Sequence, residues 1–315
     1  MGEGRGVLYN VRSAILGLAV ADALGVPVEF RSRKTLSLDP VKGMRGYGTH
    51  CQPPGTWSDD TSMTVAALDA IVENGLDHGK IMDNFVAWLE RGEYTATGVT
   101  FDVGNACAEA IGRYRDCGKK PLECGGRDEY SNGNGSLMRI LPFVLYGAYG
   151  GFEGDYLSMI SEASSLTHAH PRSIVGCGIY AVIAGALLRA PHKESIRQAV
   201  RVCRQLYRAH PESEQYSRIL NEKLEGLTAD EIESSGYVVH TLEAALWCVM
   251  STDSYRDCAL RAVNLGDDTD TVAAVAGGLA GILYGCDGIP AEWLGELGRR
   301  DYLETICERA ADAWK

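Results

Sequence analysis

The sequence lacks the patterns of several common classes of binding protein. No run of Lys or Arg is longer than a pair, and 42 acidic residues against 30 basic ones give a net charge of −12. Because contacts with nucleic-acid phosphates need a basic surface, nucleic acid is not an expected partner. The N-terminus has no basic stretch followed by an apolar one, and no apolar run reaches the roughly 20 residues that span a bilayer. The sequence therefore predicts a cytoplasmic protein with no membrane partner.

Cysteine is present, but not in metal-binding or redox spacing. None of the ten cysteines forms a CxxC pair, which argues against zinc ribbons and dithiol redox motifs. Most of them lie in apolar, helix-like stretches such as Leu246-Trp247-Cys248, where a thiol is typical of a small buried side chain. Free thiols of this kind suit a reducing cytosol.

Alternating β-branched runs of strand length are also lacking, and helical periodicity dominates the chain. The composition is 45% hydrophobic, which is ordinary for a globular protein. We expect an all-α fold in a single compact multi-helix domain, residues 1–315, in which residues 1–10 form a short N-terminal segment. The periodicity predicts helices over residues 11–24, 61–72, 81–89, 103–114, 136–146, 156–166, 174–188, 196–207, 238–250, 255–262, 269–284 and 301–314.

Long polar connections separate some of these helices. Residues 31–57 and 123–135 form the two most prominent, and loops of this length in a compact domain tend to carry function.

Two clusters of acidic residues open apolar helices. The segment GDDTDTVAAVAGG, residues 266–278, places three aspartates in four positions, and SDDT, residues 58–61, has a matching design. Helix N-capping is one explanation for Ser or Thr beside Asp at a helix start. Two such clusters instead favour a metal site, because hard oxygen ligands without Cys or His neighbours select Mg²⁺, Mn²⁺ or Ca²⁺. An EF-hand is excluded, since its fifth and twelfth positions counted from Asp268 are Val272 and Leu279.

The two acid clusters resemble the metal motifs of the ADP-ribosylglycohydrolase family, enzymes related to dinitrogenase reductase-activating glycohydrolase. The resemblance covers nearly the whole chain. It includes GLAVADALGVPVEF at 17–30, NGNGSLMRILP at 132–142 and THAHP at 167–171. Two departures stand out: Asp267 replaces a Gly found in many relatives and is not an expected ligand, and Ser58 replaces the Thr of several relatives.

The resemblance implies an all-α fold with a binuclear site that holds two Mg²⁺ or Mn²⁺ ions, and it assigns roles to individual residues. The implied metal ligands are Ser58, Asp59, Asp60, Asp268, Asp270 and Thr271. Glu29 is the implied catalytic residue, either as general base or as a gate that leaves when substrate enters. The implied substrate-binding residues are Asn132, Gly133, Asn134, Gly135, Ser136, Met138, His168 and Asp102.

The residues alone leave other interpretations open for several of these positions. Glu29 is also typical of a solvated loop acid, and Asn132-Gly133 is typical of a turn. On the residues alone, His168 is more typical of a capping or core histidine, and Asp102 is as typical of an N-cap as of an acid that orients metal-bound water. His170 and Tyr94 are weaker candidates for substrate contact. No Walker or GxGxxG motif is present, which argues against a nucleotide triphosphate or NAD cofactor.

The family resemblance implies a metal-dependent hydrolase that removes ADP-ribose from modified protein side chains, with N-linked ADP-ribosyl-arginine as the expected linkage. Its partner would be an ADP-ribosylated protein, and the reversed transferase would be a metabolic regulator or a cognate ADP-ribosyltransferase toxin. The sequence leaves two alternatives open. One is a hydrolase of O-linked ADP-ribose on serine or of free ADP-ribose derivatives, and the other is a non-catalytic binder of ADP-ribose or of a toxin.

Overall fold

The computed structural model describes residues 6–315, and these contain fifteen α-helices and no β-strand. Two isolated bridges, Gly126 with His168 and Gly133 with Tyr237, are the only β-type pairings within this range. The predicted all-α class is confirmed. The helices are α1 (Val7–Gly25), α2 (Arg33–Leu38), α3 (Asp59–Asn74), α4 (His78–Arg91), α5 (Asn105–Cys117), α6 (Leu141–Tyr149), α7 (Tyr156–Ser165), α8 (Pro171–Arg189), α9 (Lys193–Tyr207), α10 (Ser217–Leu220), α11 (Val238–Met250), α12 (Tyr255–Val263), α13 (Thr269–Tyr284), α14 (Ala291–Glu296) and α15 (Arg300–Ala313).

Helices α1 and α13 pack against each other in the centre of the core. Their backbones approach so closely that a Cβ at Gly17 would lie 2.5 Å from the carbonyl oxygen of Gly277, so only glycine fits there. The pairing is antiparallel, which brings the C-terminal end of α1 to the N-terminal end of α13. At that end the Thr269 hydroxyl donates to the carbonyl of Gly25 over 2.8 Å. The segment after α1 therefore runs beside the second acid cluster.

Many predicted helix ends are displaced by one to four residues, and the short helices α2, α10 and α14 were not predicted. Two differences concern segments close to the site. The helix expected over 136–146 begins only at Leu141, because Pro142 occupies its first turn, where proline is favoured, and residues 135–139 form turns. The connection at 31–57 contains a short helix, α2, whose N-cap Ser32 accepts a hydrogen bond from the Thr35 amide. At the N-terminus, residues 1–5 lie outside the described range, and the remainder of the expected segment 1–10 is helical from Val7.

Two helical segments, Val7–Val28 and Pro171–Arg189, are long and apolar enough to cross a membrane by length and mean hydropathy alone. In the structure, 94% and 72% of their apolar windows are buried inside the protein. This burial identifies both segments as helices of the protein core. All ten cysteines are free, and seven of them are buried, which confirms their expected role as small core side chains.

Candidate active site

The first acid cluster lies at the N-terminus of α3. Ser58 is the N-cap and accepts from the Asp60 amide at 3.3 Å, so the predicted capping role is present. Asp22 of α1 reaches across to the same helix end and accepts hydrogen bonds from the amides of Ser58, at 3.0 Å, and Thr61, at 3.1 Å. These contacts satisfy buried amides at the start of α3 that have no partner within the helix, and they fix α3 to α1.

The second acid cluster lies at the N-terminus of α13. Asp268 is the residue before the helix, and its amide donates to the carbonyl of Ser234 at 3.0 Å. Its Oδ2 accepts from Asn134 Nδ2 at 2.7 Å, which connects this cluster to the glycine-rich loop at 132–138. Within the first turn, Asp270 Oδ1 accepts from the Thr271 amide at 2.9 Å. Each aspartate thus has one oxygen fixed by the protein.

The remaining oxygens of the two clusters converge without partners. Buried Asp60 Oδ1, Asp268 Oδ1 and Asp270 Oδ2 accept no hydrogen bond from any residue that the structure describes. Oxygens of Asp22, Asp60 and Asp270 lie within 4.8 Å of one another, and a second group of the same size joins Glu29, Asp268 and Asp270. Burial and neighbouring carboxylates raise the pKa of Asp60 and of Asp270 well above the usual range.

This arrangement fits divalent cations. Carboxylate and hydroxyl oxygens are the ligands that Mg²⁺ and Mn²⁺ prefer, and a cation would satisfy the orphaned oxygens and remove the repulsion between them. The two groups share Asp270, so the carboxylates offer two adjacent positions for an ion.

Glu29 lies directly after the 3₁₀ turn Val26–Val28, with only 5% of its surface exposed. Its carboxylate is hydrogen-bonded to Nε2 of His50, and Asp102 Oδ2 is 3.9 Å from the same nitrogen. Burial raises the pKa of Glu29 to about 8, the contact with His50 opposes that rise, and Asp102 and Asp268 add to it. Glu29 is therefore a buried acid in the site and not a solvated loop residue.

A cavity of about 370 Å³ opens above the carboxylates and extends to the glycine-rich loop. Ten of the residues named from the sequence line it: Glu29, Asp59, Asp102, Gly133, Asn134, Gly135, Met138, His168, Asp268 and Thr271. Asp102 is not the N-cap of α5, because Gly104 holds that position. A larger cavity of about 670 Å³ lies between Arg33, Trp247 and Arg261, but none of the converging carboxylates lines it.

The structure does not bring every named residue to the cavity wall. The predicted metal ligands Ser58, Asp60 and Asp270 are buried and do not line the cavity. Ser136 is fully buried and its hydroxyl accepts from Ser164, so its side chain belongs to the core. Asn132 donates to the carbonyl of Glu129 and is absent from the lining. His170 caps α8 by accepting from the Arg172 amide, and the Tyr94 hydroxyl donates to Asp69.

The backbone conformation of Asp267 separates its side chain from the carboxylate groups that could bind metal. It has a positive φ of 60°, its amide donates to the carbonyl of Arg31, and its carbonyl accepts from the Phe30 amide. These two hydrogen bonds join the segment after Glu29 to the second acid cluster, while the Asp267 side chain is exposed.

Comparison with known proteins assigns the family. The family model for ADP-ribosylglycohydrolase matches residues 6–315. This chain belongs to the ADP-ribosylglycohydrolase family. It is 34% identical over 308 residues to ADP-ribosylarginine hydrolase Tri1 of Pseudomonas putida (strain GB-1), covering 97% of this chain and 78% of that protein. It is 33% identical to ADP-ribosyl-[dinitrogen reductase] glycohydrolase of Rhodospirillum rubrum, covering 98% and 97%.

A solved structure titled "ADP-ribosylglycohydrolase-related protein complex" superposes on this one with a TM-score of 0.83. The two share 32% identity, and the match covers 98% of this chain and 99% of the other. The ADP-ribosylglycohydrolase membership inferred from the two acid clusters and the glycine-rich loop is confirmed.

Two site residues of this ADP-ribosylglycohydrolase-family chain were missed from the sequence. Asp22 is fully buried and is the one charged residue in an otherwise apolar stretch of α1. Because carboxylates are rarely buried without a partner, its place in that stretch could have predicted a functional residue. His50 follows Thr49 in an irregular loop and carries no such signal. Only the structure shows that His50 belongs to the site, because Thr49 Oγ1 donates to the carbonyl of Glu29 at 2.7 Å and holds this loop against it.

Proposed function

We propose that this protein is a divalent-cation-dependent hydrolase that removes ADP-ribose from modified arginine side chains of proteins. The observation that carries the proposal is the convergence of five acidic residues, Asp22, Glu29, Asp60, Asp268 and Asp270. Two of them, Glu29 and Asp268, line a cavity that the glycine-rich loop also lines. Its relatives from Pseudomonas and Rhodospirillum are named for ADP-ribosylarginine and for ADP-ribosyl-dinitrogen reductase, which supports an N-linked substrate.

Asp59, Asp60, Asp268 and Asp270, with Ser58, Thr271 and Asp22, would hold two Mg²⁺ or Mn²⁺ ions. When bound, these cations would supply Lewis-acid stabilisation for oxygen atoms of the substrate and of the attacking water. The protein contributes the fixed carboxylates and the shaped, partly enclosed cavity around them.

Glu29 is the proposed general base. Water forms a bond to the anomeric carbon of the ribose while the bond from that carbon to the arginine nitrogen breaks. Glu29 accepts the water proton, which then passes to the leaving guanidine nitrogen, so that the carboxylate is regenerated. Its pKa of about 8 without cations would fall beside them, towards the range in which a base works at neutral pH. The hydrogen bond with His50 fixes the carboxylate in the cavity wall.

The glycine-rich loop is the proposed diphosphate site. Gly133 and Gly135 line the cavity without side chains, so that backbone amides can approach an anion. Asn134 is held between Thr241 Oγ1, at 2.9 Å, and Asp268, at 2.7 Å, which ties this loop to the metal end of the cavity.

We place the protein in the cytoplasm, where its ten free cysteines remain reduced. Its substrate would be a protein modified by an ADP-ribosyltransferase, and a role in immunity against such an enzyme acting as a toxin stays a prediction.

The test is release of labelled ADP-ribose from a protein modified on arginine, with Mg²⁺ or Mn²⁺ present. Glu29→Gln keeps the size of the side chain and removes its charge, so release should fall roughly a hundredfold while ADP-ribose binding is retained. Full activity of the variant would remove Glu29 from the mechanism. Release by the wild type only from serine-linked ADP-ribose would replace the arginine assignment, and binding without release from any linkage would identify a non-catalytic binder.

A further inference from the structure

Arg139 carries a positive charge in the core directly behind the glycine-rich loop. It is fully buried, and no carboxylate within residues 6–315 forms an ion pair with it. Its guanidinium stacks 4.9 Å from the centre of the Phe85 ring, and its Nε and Nη1 have no hydrogen-bond partner in the described part of the chain. Burying an unpaired cation costs stability, so its presence calls for a function.

Among the described residues 6–315, Thr167 is the one side chain that accepts a hydrogen bond from Arg139. Arg139 Nη2 donates to Thr167 Oγ1 at 2.7 Å, and a second donation goes to the carbonyl of Ala163 at 3.2 Å. Thr167 Oγ1 in turn lies 2.9 Å from Nδ1 of His168. The three side chains form a continuous buried chain from the core to the cavity.

The far end of this chain faces the proposed diphosphate site. His168 lines the cavity, and a Cβ at Gly133 would lie 3.3 Å from His168 Nε2. A Cβ at Gly135 would lie 2.8 Å from His168 Cε1. The imidazole edge therefore sits where a ligand held by the two glycines would meet it.

We propose that Arg139 and Thr167 fix His168 as the neutral tautomer with its proton on Nε2, so that His168 donates a hydrogen bond to a diphosphate oxygen of ADP-ribose. This inference rests on the proposed function for its ligand. Arg139 and Thr167 are positioning residues, because they act through His168.

The donors and acceptors of each side chain determine the direction of the hydrogen bonds that connect Arg139, Thr167 and His168. A guanidinium can only donate, so Thr167 Oγ1 accepts from Arg139 and has its own hydrogen to give. The acceptors beside that hydroxyl are His168 Nδ1 and the buried thiol of Cys107, and an imidazole nitrogen is much the stronger acceptor. Donation to Nδ1 leaves the ring proton on Nε2, at the cavity.

The charge of the ring agrees with this assignment. Burial, with the nearby Arg139 cation, lowers the pKa of His168 to about 3, so the imidazole is neutral at physiological pH. With the proton on Nδ1 instead, Nε2 would present a lone pair to the phosphate oxygens and repel them. Only the Nε2–H form offers a donor there.

The two ends of the cavity consequently have opposite electrostatic potential. The carboxylates occupy one end, and the buried guanidinium lies behind the other, where its field acts through a medium of low dielectric constant. This polarity favours an anionic group beside His168, which selects the diphosphate over the ribose hydroxyls.

The first test is nitrogen NMR of the ligand-free protein labelled at its seven histidines, with His168 assigned by its loss in His168→Gln. Wild-type His168 should show a protonated Nε2 and an unprotonated Nδ1 throughout pH 5–8. Thr167→Val removes the hydroxyl with little change of shape and should release the tautomer, whereas Thr167→Ser should restore the wild-type signal.

Thr64→Val is the matched control. Thr64 is also fully buried and donates to the same loop, at the carbonyl of Met138, but it does not contact His168. It should leave the His168 signals unchanged. A wild-type proton on Nδ1, or a tautomer unaffected by Thr167→Val, would overturn the proposal.

The second test is binding. Thr167→Val should weaken ADP-ribose about tenfold, the scale of one hydrogen bond to a charged group, and should leave adenosine, which lacks phosphate, unaffected. Arg139→Met removes both donor and charge, and should weaken ADP-ribose further without lowering the free energy of unfolding. Unchanged ADP-ribose affinity in Thr167→Val, or an equal loss for adenosine, would contradict the role in diphosphate recognition. Failure of the wild type to bind ADP-ribose would overturn the proposed function. The NMR test of the His168 tautomer uses ligand-free protein, so its result does not depend on ADP-ribose binding.

Discussion

His50 Nε2 is hydrogen-bonded to the carboxylate of Glu29, and the His50 ring packs 5.3 Å from the centre of the Phe101 ring. A carboxylate that acts as a base must be held within a few tenths of an ångström of its working position, and this contact fixes the one side chain that we place at the reacting water. His50 thus joins the segment after α1 to the loop that carries Phe101 and Asp102.

We predict that His50→Ala lowers kcat for release of ADP-ribose from arginine by roughly tenfold or more, with KM nearly unchanged, because the substrate does not depend on His50 for binding. His50→Gln should retain part of the activity, since its amide can donate to Glu29. Steady-state kinetics separate the two parameters. His78→Ala is the control, because His78 contacts Glu162 at 3.6 Å and does not line the cavity. An equal effect of both substitutions would argue against a positioning role.

We predict a graded loss of metal sites. Calorimetric titration of the wild type with Mg²⁺ or Mn²⁺ should show two ions. Asp60→Asn removes a ligand of one carboxylate group and should leave one ion, whereas Asp270→Asn removes the ligand that both groups share and should leave none. Asp267→Asn changes an exposed neighbour and should bind two ions. Two ions bound by Asp270→Asn would refute the shared-ligand arrangement.

Asp270→Asn should also make the metal-free protein more stable. The substitution keeps an oxygen for the Thr271 amide and removes a carboxyl group whose pKa is raised by burial and by the neighbouring carboxylates, which is a cost to the folded state. We therefore expect a gain of about 1 kcal/mol or more in the free energy of unfolding at pH 7. Denaturant unfolding in EDTA measures this difference. A less stable variant would show that repulsion in the cluster is not the dominant cost.

The stability of the metal-free protein should fall as pH rises from 5 to 8. The pKa of Asp22 is raised to about 7 and that of Glu29 to about 8, mainly by burial, whereas both groups titrate near ~4 in the unfolded chain. Across this window the folded chain retains protons that the unfolded chain has released, so the free energy of unfolding decreases with pH. The raised pKa of His50, held by Glu29, acts in the same direction.

Divalent cations should reverse the trend, since they bind the deprotonated carboxylates. Thermal unfolding in EDTA and in Mg²⁺ should therefore diverge as pH rises, with the larger Tm in Mg²⁺. Parallel curves would mean that the cluster does not hold the cation.

We predict that Gly135→Ala weakens ADP-ribose binding by about tenfold, because its Cβ would meet Cys107 Sγ and His168 Cε1, each at 2.8 Å, and displace the imidazole. Gly226→Ala is the control, since a Cβ there meets nothing within 4 Å. Calorimetry with ADP-ribose checks both variants. Wild-type affinity in Gly135→Ala, with the fold intact, would show that the loop is only a turn.

Local sequence determined the elements that carry the site. The helices α11 and α13 begin and end where periodicity predicts, and both acid clusters are recognisable in the sequence because each is contiguous and opens a helix. The start of a helix depends on its cap and on the residues of its first turn. These residues are adjacent in the sequence, so the pattern can be recognised without the structure.

The tertiary structure alone decided which distant groups complete the site. Asp22 lies 36 positions before Ser58, His50 lies 21 after Glu29, and Arg139 lies 28 before Thr167. No spacing rule relates these pairs, because each contact depends on how whole helices pack. The close α1–α13 approach at Gly17 and Gly277 places Asp22 and Glu29 beside Asp270. The sequence therefore determined the fold class and the ligand chemistry, and packing determined the geometry that holds Glu29 and His168 in position.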